Sequence, residues 1–172
     1  MESNSETDQM DRILAQWQAE EPDLDVTPMG IVGRLQRASR LLERSISDCF
    51  AEHDLQLWEF DIIATLLRSG PPYRLTVGAL GETAMVTSGA ITNRLDRLAT
   101  RGLIDRQTDP SNRRSVLITL TDTGRALVRP ALLDHLQNEA RLLSSLDTAE
   151  QDQLGHLLRK LLLDLGDRPV QP

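Results

Sequence analysis

Residues 76–120 decide the fold, and they read TVGALGETAMVTSGAITNRLDRLATRGLIDRQTDPSNRRSVLITL. The first part of this stretch predicts a short helix from Thr76 to Glu82, followed by a turn of small residues from Thr83 to Val86. Thr87 then has the side chain of a helix N-cap and predicts the start of a second helix. Two short helices in such close succession are typical of a helix-turn-helix.

The rest of the stretch predicts that the second helix packs on a core and leads into a hairpin. An apolar stripe repeats at helical spacing, and its members are Ile91, Leu95 and Leu98. Gly102 stands where a helix commonly ends. Strands are predicted over 103–108 and 115–120, and the turn-forming residues 109–114 lie between them. The order helix, turn, helix, strand, loop, strand predicts a winged helix-turn-helix with a two-stranded wing.

Outside this stretch the sequence predicts further helices. The chain has 172 residues and is 40% hydrophobic but only 3% aromatic, so its core must be built mainly from aliphatic side chains, which suit packed helices. Helical periodicity predicts helices over 8–20, 28–53, 57–68, 121–143 and 147–165, and Thr121 and Asp147 are predicted as the N-caps of the last two. The predicted fold class is therefore mainly α, with a winged helix-turn-helix.

The charge distribution favours a nucleic-acid partner on one face of the protein. The net charge is −7, which by itself disfavours binding to a polyanion. Between Arg94 and Arg114, however, the chain carries six arginines and three aspartates, so this segment is basic and the remainder is strongly acidic. A basic stripe on an acidic body can direct DNA to one face. On charge alone, a solvated helix face explains such an arginine run equally well.

The second helix and the wing carry the side chains that DNA binding needs. A recognition helix presents small polar residues to the major groove, and long cations at a wing tip can reach a flanking groove. The predicted DNA-binding residues are Thr87, Ser88, Gly89, Thr92, Asn93, Arg94, Arg97, Arg113 and Arg114.

These motifs resemble the MarR family of bacterial transcriptional repressors. The resemblance rests on Thr-Ser-Gly-Ala-Ile-Thr-Asn-Arg-Leu-Asp-Arg-Leu at 87–98, Arg-Gly-Leu-Ile at 101–104, and Asp-Pro, Asn-Arg-Arg and Leu-Thr between Asp109 and Gly124. It implies that Asp109 and the tip arginines belong to the wing. It also implies a homodimer held by the terminal helices, in agreement with the leucine-rich tail, and a palindromic double-stranded DNA operator.

The resemblance divides the chain into three regions. Residues 1–28 would form a disordered tail, an extra helix and an acidic loop. Residues 29–56 and 121–172 would form the dimerisation helices, and 57–120 the DNA-binding region. The single cysteine and the lack of a signal peptide or a bilayer-spanning apolar run predict a location in the bacterial cytoplasm.

A finer resemblance concerns the urate-responsive branch of the same family, which has an added N-terminal helix containing a tryptophan. The matching residues here are Trp17, Asp61, Arg94 and Arg106. An indole ring can stack on a flat purine anion, a carboxylate can accept a ring N–H, and an arginine can donate two hydrogen bonds. Arg106 would relay between this site and the recognition helix. The resemblance thus implies a repressor that urate releases from DNA.

Several alternatives stay open. Trp17 can serve packing alone, Asp61 can belong to a structural ion pair, and Arg94 can contact phosphate as well as ligand. Another aromatic or polycarboxylate anion can replace urate, and oxidation at Cys49 can replace a ligand, although no motif near this thiol suggests a low pKa. A winged helix can also serve protein–protein contact only. The sequence contains no catalytic, cofactor or metal-binding motif, so it predicts neither an enzyme nor a cofactor.

Overall fold

The computed structural model describes residues 7–83 and 91–168 of the chain. These residues form a mainly helical fold with one small antiparallel sheet, as predicted. The elements in chain order are α1 (Gln9–Glu20), α2 (Thr27–Ala51), α3 (Leu57–Arg68), β1 (Arg74–Thr76), α4 (Val77–Thr83), α5 (Ile91–Thr100), β2 (Ile104–Thr108), β3 (Val116–Leu120), α6 (Asp122–Leu142) and α7 (Thr148–Asp164). The chain divides into two compact units, residues 1–45 and residues 46–172.

The first unit holds α1 and most of α2, and glycine allows the two helices to approach closely. Met10 of α1 is buried, and it lies against Gly33 of α2. A Cβ atom added at Gly33 would meet the Met10 methyl group at 2.5 Å, which is far inside contact distance. The absence of a side chain at this position therefore lets α1 pack closely on α2.

Ion pairs at the start of α1 also hold this helix in place. Asp8 caps α1 and forms a capping box with Asp11, and both carboxylates bind the Arg34 guanidinium of α2 at 2.8 and 2.6 Å. The hydrogen bond from Arg34 is the main cause that lowers the pKa of Asp8 to about 2. The exposed position of these groups limits their contribution to stability, because water screens the charges.

The second unit holds the main hydrophobic core, which is aliphatic as the composition predicted. Its centre is formed by α3, α5, β3 and α6, and two aromatic rings, Phe50 and Phe60, stack within it. The largest fully buried apolar side chains are Phe50, Ile62, Ile63, Leu66, Leu80, Leu95, Leu98, Ile104, Ile118 and Val128. This core fixes α5 and the hairpin relative to α3, and so positions the candidate site.

The sheet has three strands, and the prediction of a two-stranded wing was therefore incomplete. Strand order is β1-β3-β2, and β1 pairs antiparallel with β3 through Arg74 opposite Thr119. The Arg74 side chain also donates to the Thr119 hydroxyl at 2.8 Å. A three-residue strand is too short to show an alternating pattern, and its partner lies 45 residues later, so only the folded chain reveals it.

The start of α6 closes the base of the hairpin. Thr121 caps α6 as predicted, and its hydroxyl and amide both bind the carbonyl oxygen of Leu103, at 3.0 and 3.1 Å. Gly124 lies so close that an added Cβ would stand 2.2 Å from the same oxygen. The glycine is therefore required by the close approach of α6 to the start of β2. Asp147, also predicted as a cap, forms a capping box at the start of α7.

Candidate nucleic-acid interface

α5 has the buried and exposed faces that the sequence predicts for a recognition helix. Ile91, Leu95 and Leu98 are buried, and the opposite face exposes Thr92, Asn93 and Arg97. Gly102 ends the helix with a φ of +69°, a left-handed conformation that suits glycine. The predicted contacts Thr87, Ser88 and Gly89 lie outside the described residues.

Trp58 of α3 connects the arginines of α5 to the core. The guanidinium carbon of Arg94 lies 5.4 Å from the centre of the Trp58 rings, and that of Arg97 lies 5.0 Å away. Both distances are within cation–π range. The indole N–H donates to the Gln56 side chain, and the ring is half-buried against the core. Trp58 could not be identified from the sequence, because nothing in its local pattern indicates contact with a helix some 35 residues later.

Arg101, which directly follows α5, forms ion pairs with two carboxylates of its own chain. Its guanidinium binds the buried carboxylate of Glu59 at 2.9 Å, and it also binds the side chain and the carbonyl of Asp54. Glu59 has only 3% of its side chain exposed, and its other carboxylate oxygen accepts a hydrogen bond from the backbone N–H of Gln56. Both oxygens of the buried carboxylate are thus satisfied, as burial of a charge requires.

Arg106 of β2 forms an ion pair with Asp96 of α5. This contact ties the hairpin to the predicted recognition helix. Together with Arg101, it shows that two of the six arginines in the basic segment are paired with carboxylates. The positive charge that remains is concentrated on Arg94 and Arg97 of α5 and on Arg113 and Arg114 of the wing.

The wing loop is ordered by its own hydrogen bonds. The Asp109 carboxylate accepts hydrogen bonds from the hydroxyl and the backbone N–H of Ser111, at 2.6 and 2.8 Å. The backbone N–H of Asp109 donates to the carbonyl oxygen of Ser115 at 2.9 Å. The hydroxyl bond is the main cause that lowers the pKa of Asp109, so this carboxylate stays charged at neutral pH. Arg113 and Arg114 form the exposed tip of the loop.

The four predicted ligand residues lie on four different elements. Trp17 is on α1 in the first unit and is 44% exposed. Asp61 is half-buried on α3, where its carbonyl accepts the Thr65 hydroxyl at 2.7 Å. Arg94 is half-buried on α5, and Arg106 is on β2. Their joint action on a ligand stays a prediction.

Cys49 lies half-buried in α2. Burial raises the pKa of its thiol, and the nearby carboxylates Glu52 and Asp134 raise it further. The thiolate, which is the form that oxidants attack, is therefore disfavoured.

Within residues 7–83 and 91–168, no three side chains of His, Cys, Asp or Glu converge closely enough to hold a metal ion. No helix in the same ranges combines the length and the apolar character that are needed to cross a bilayer.

The helix pair α4 and α5, followed by a hairpin with an exposed arginine tip, defines a winged helix-turn-helix protein. Comparison with known proteins agrees with this class. Residues 53–115 match the model of the MarR family. The chain is 40% identical over 149 residues to the HTH-type transcriptional regulator PecS of Dickeya dadantii, covering 87% of this chain and 90% of PecS.

Solved structures show the same similarity. A mutant of E. coli MarR complexed with operator DNA superimposes with a TM-score of 0.69 and 25% identity, covering 80% of this chain and 95% of that one. Bordetella bronchiseptica BpsR, whose DNA binding is regulated by 6-hydroxynicotinic acid, gives a TM-score of 0.68 and 25% identity, covering 76% and 91%. The chain belongs to the MarR family and is a DNA-binding transcriptional regulator, not an enzyme.

Proposed function

We propose that the protein is a dimeric repressor that binds a palindromic operator and is released from it by a small anionic ligand, with urate as the first candidate. The observation that carries the proposal is the concentration of positive charge on one helix face and one wing tip of an otherwise acidic chain. Such a distribution favours DNA on this face and repels it elsewhere.

In this proposal α5 enters the major groove with Thr92 and Asn93 towards the bases, and Arg94 and Arg97 at the phosphates. The segment that contains Thr87, Ser88 and Gly89 would supply the N-terminal part of the contact. The wing arginines, Arg113 and Arg114, would reach the flanking minor groove, whose negative potential favours arginine. E. coli MarR, which was solved with operator DNA, supports a protein–DNA contact through this fold.

The test is selection of a duplex from a randomised pool, followed by a binding titration. A dimer places two recognition helices about 34 Å apart, so duplexes of about 30 base pairs are long enough. We expect enrichment of an inverted repeat, called here the selected duplex. With about six phosphate contacts, affinity should fall roughly 10³-fold between about 50 and 200 mM salt. Failure to enrich any duplex would favour a winged helix that serves protein–protein contact only.

The proposed dimer interface uses residues 29–56 and 121–172, with 57–120 as the DNA-binding region. α7 supports it, because none of this helix's residues, all of them described, is buried within the protomer. Leu157, Leu161 and Leu165 are 53%, 40% and 73% exposed. An apolar surface of this kind marks an association site.

Sedimentation velocity tests the dimer. The double variant Leu157→Glu with Leu161→Glu should be monomeric. It should bind the selected duplex poorly, because each monomer contacts only one half-site. Gln153→Glu, at an exposed polar position of the same helix, should stay dimeric and bind normally. A double glutamate variant that still sediments as a dimer would refute this interface.

The proposed ligand residues are Trp17, Asp61, Arg94 and Arg106. Trp17 would stack on a planar anion, Asp61 would accept a ring N–H, and Arg94 would donate a pair of hydrogen bonds. The ion pair of Arg106 with Asp96 supports the relay role, because it joins the hairpin to the recognition helix. The extra helix within residues 1–28 would thus serve ligand binding.

Isothermal titration with urate, beside other purines and organic acids, tests the ligand. Trp17→Phe and Asp61→Asn should each weaken urate-induced release from the selected duplex and leave DNA affinity nearly unchanged. An unchanged urate response in both variants would refute the site. Absence of heat with urate, with heat from another compound, would identify the ligand as that other anion.

A second candidate ligand class is another aromatic or polycarboxylate anion. BpsR supports it, because an aromatic acid regulates the DNA binding of that protein. Release through oxidation of Cys49 is less favoured, since the raised pKa of this thiol opposes attack by oxidants. As a regulator of a bacterial chromosome, the protein would act in the cytoplasm.

A further inference from the structure

The arginines of the candidate DNA-binding face are held in two different ways. Arg101 and Arg106 are held by carboxylates, which neutralise their charge. Among the residues that the structure describes, neither Arg94 nor Arg97 forms an ion pair, and both lie against the rings of Trp58. A neutral aromatic ring can fix the position of a cation without cancelling its charge.

This arrangement leaves the two guanidinium groups able to bind phosphate. A guanidinium group that lies over an aromatic ring contacts the ring with its flat face. Its N–H groups lie in the guanidinium plane and can still donate to phosphate. A free arginine side chain loses much conformational entropy when it binds a phosphate group. An arginine that is already held in position loses less entropy on binding. The contact with Trp58 therefore prepares both cations for DNA.

Trp58 is itself poorly placed to read DNA. The ring is half-buried against the core, and its N–H, the single donor of an indole, is used by the Gln56 side chain. Any effect of Trp58 on DNA binding should therefore pass through the arginines that it holds.

We propose that Trp58 is a positioning residue for DNA binding, which holds Arg94 and Arg97 together on the face of α5 with their charge intact. The proposal rests on the proposed function, because it assumes that this face binds DNA. It assigns a role to a residue of α3, outside the recognition helix and the wing.

A double-mutant cycle between Trp58 and Arg97 tests the proposal on the selected duplex. Trp58→Leu should weaken binding about tenfold and Trp58→Phe about threefold, since a benzene ring keeps part of the cation–π attraction. Arg97→Ala should weaken binding and lower the magnitude of the salt slope by about 2, one phosphate contact per protomer. Trp58→Leu should change the slope by less than about 1, because the arginines keep their charge.

The decisive result is the coupling between the two positions. In the Trp58→Leu protein, Arg97→Ala should cost less than about a third of what it costs in the wild type. A purely structural role for Trp58 would make the two losses additive, and additive losses would overturn the proposal. A Trp58→Leu protein that folds and binds the selected duplex like the wild type would also overturn the proposal.

Thermal melting separates these outcomes from a loss of folding. If Trp58→Leu melts early, the same cycle is measured with Trp58→Phe, which keeps an aromatic ring against the core, and additivity there overturns the proposal. Failure of the wild-type protein to bind any duplex would instead refute the proposed function, so the two failures are distinguishable.

Discussion

Replacement of Gly124 by alanine should be among the most damaging small changes in the chain. The added Cβ would lie 2.2 Å from the Leu103 carbonyl oxygen and 2.8 Å from a methyl group of Leu120. The Leu103 oxygen cannot retreat freely, because it accepts hydrogen bonds from the amide and the hydroxyl of Thr121. The variant must therefore move backbone at the junction of α6 and β2.

The size of the effect follows from these contacts. Overpacking typically costs about 1–3 kcal/mol, and loss of two hydrogen bonds adds about 1–3 kcal/mol. The higher helix propensity of alanine offsets up to about 1 kcal/mol. We expect the free energy of unfolding to fall by about 2–4 kcal/mol, which for a chain of this size lowers Tm by roughly 5–12 °C.

Calorimetry and urea unfolding at equal protomer concentration measure this change. Gly78→Ala is the matched control, since this exposed glycine of α4 has its nearest neighbour, the Thr76 hydroxyl, at 3.9 Å from an added Cβ. The control should be neutral or slightly stabilising. A Gly124→Ala protein as stable as the control would refute the close approach of α6 to β2.

Three other predictions test individual contacts. Arg101→Ala should lower the free energy of unfolding by about 2–3 kcal/mol, because it leaves Glu59 buried and unpaired, and addition of Glu59→Gln should recover about 1 kcal/mol in urea unfolding. The lowered pKa of Asp8 means that its pair with Arg34 stabilises α1 above about pH 4 and is lost as the pH falls towards about 2; the hydrogen-exchange protection factors of α1 amides, which correct for the intrinsic pH dependence of exchange, should therefore fall over this range, and less so in Asp8→Asn. Cys49 should react with iodoacetamide at neutral pH at least about fivefold more slowly than free cysteine and reach the free rate in urea, and a faster rate in the folded protein would contradict its raised pKa.

Local features of the structure could be predicted from the sequence. The stripe Ile91, Leu95 and Leu98 is buried, and Thr121 and Asp147 cap their helices, because spacing and caps depend on residues a few positions apart. The tip position of the wing arginines follows in the same way from the turn-forming residues around them.

Features that depend on distant partners could not be predicted. β1 forms only because β3 offers it an edge, and Arg101 is neutralised by Glu59, which lies 42 positions earlier in the sequence. The sequence around an arginine does not indicate whether its side chain contacts a carboxylate, an indole ring or a phosphate. The basic segment therefore looks uniform in the sequence, whereas the structure shows that carboxylates neutralise two of its arginines, Arg101 and Arg106.

The central claim is that the wing tip and α5 bind DNA, and the salt dependence of the wing variant tests it most directly. Arg113→Ala with Arg114→Ala should weaken binding to the selected duplex and lower the magnitude of the salt slope by about 2–4, up to two contacts per protomer. The control, Arg12→Ala, removes an exposed arginine of α1, outside both the DNA-binding region and the proposed dimer interface. It should leave affinity and slope nearly unchanged. Equal affinity and slope in the wing variant and the wild type would contradict the claim.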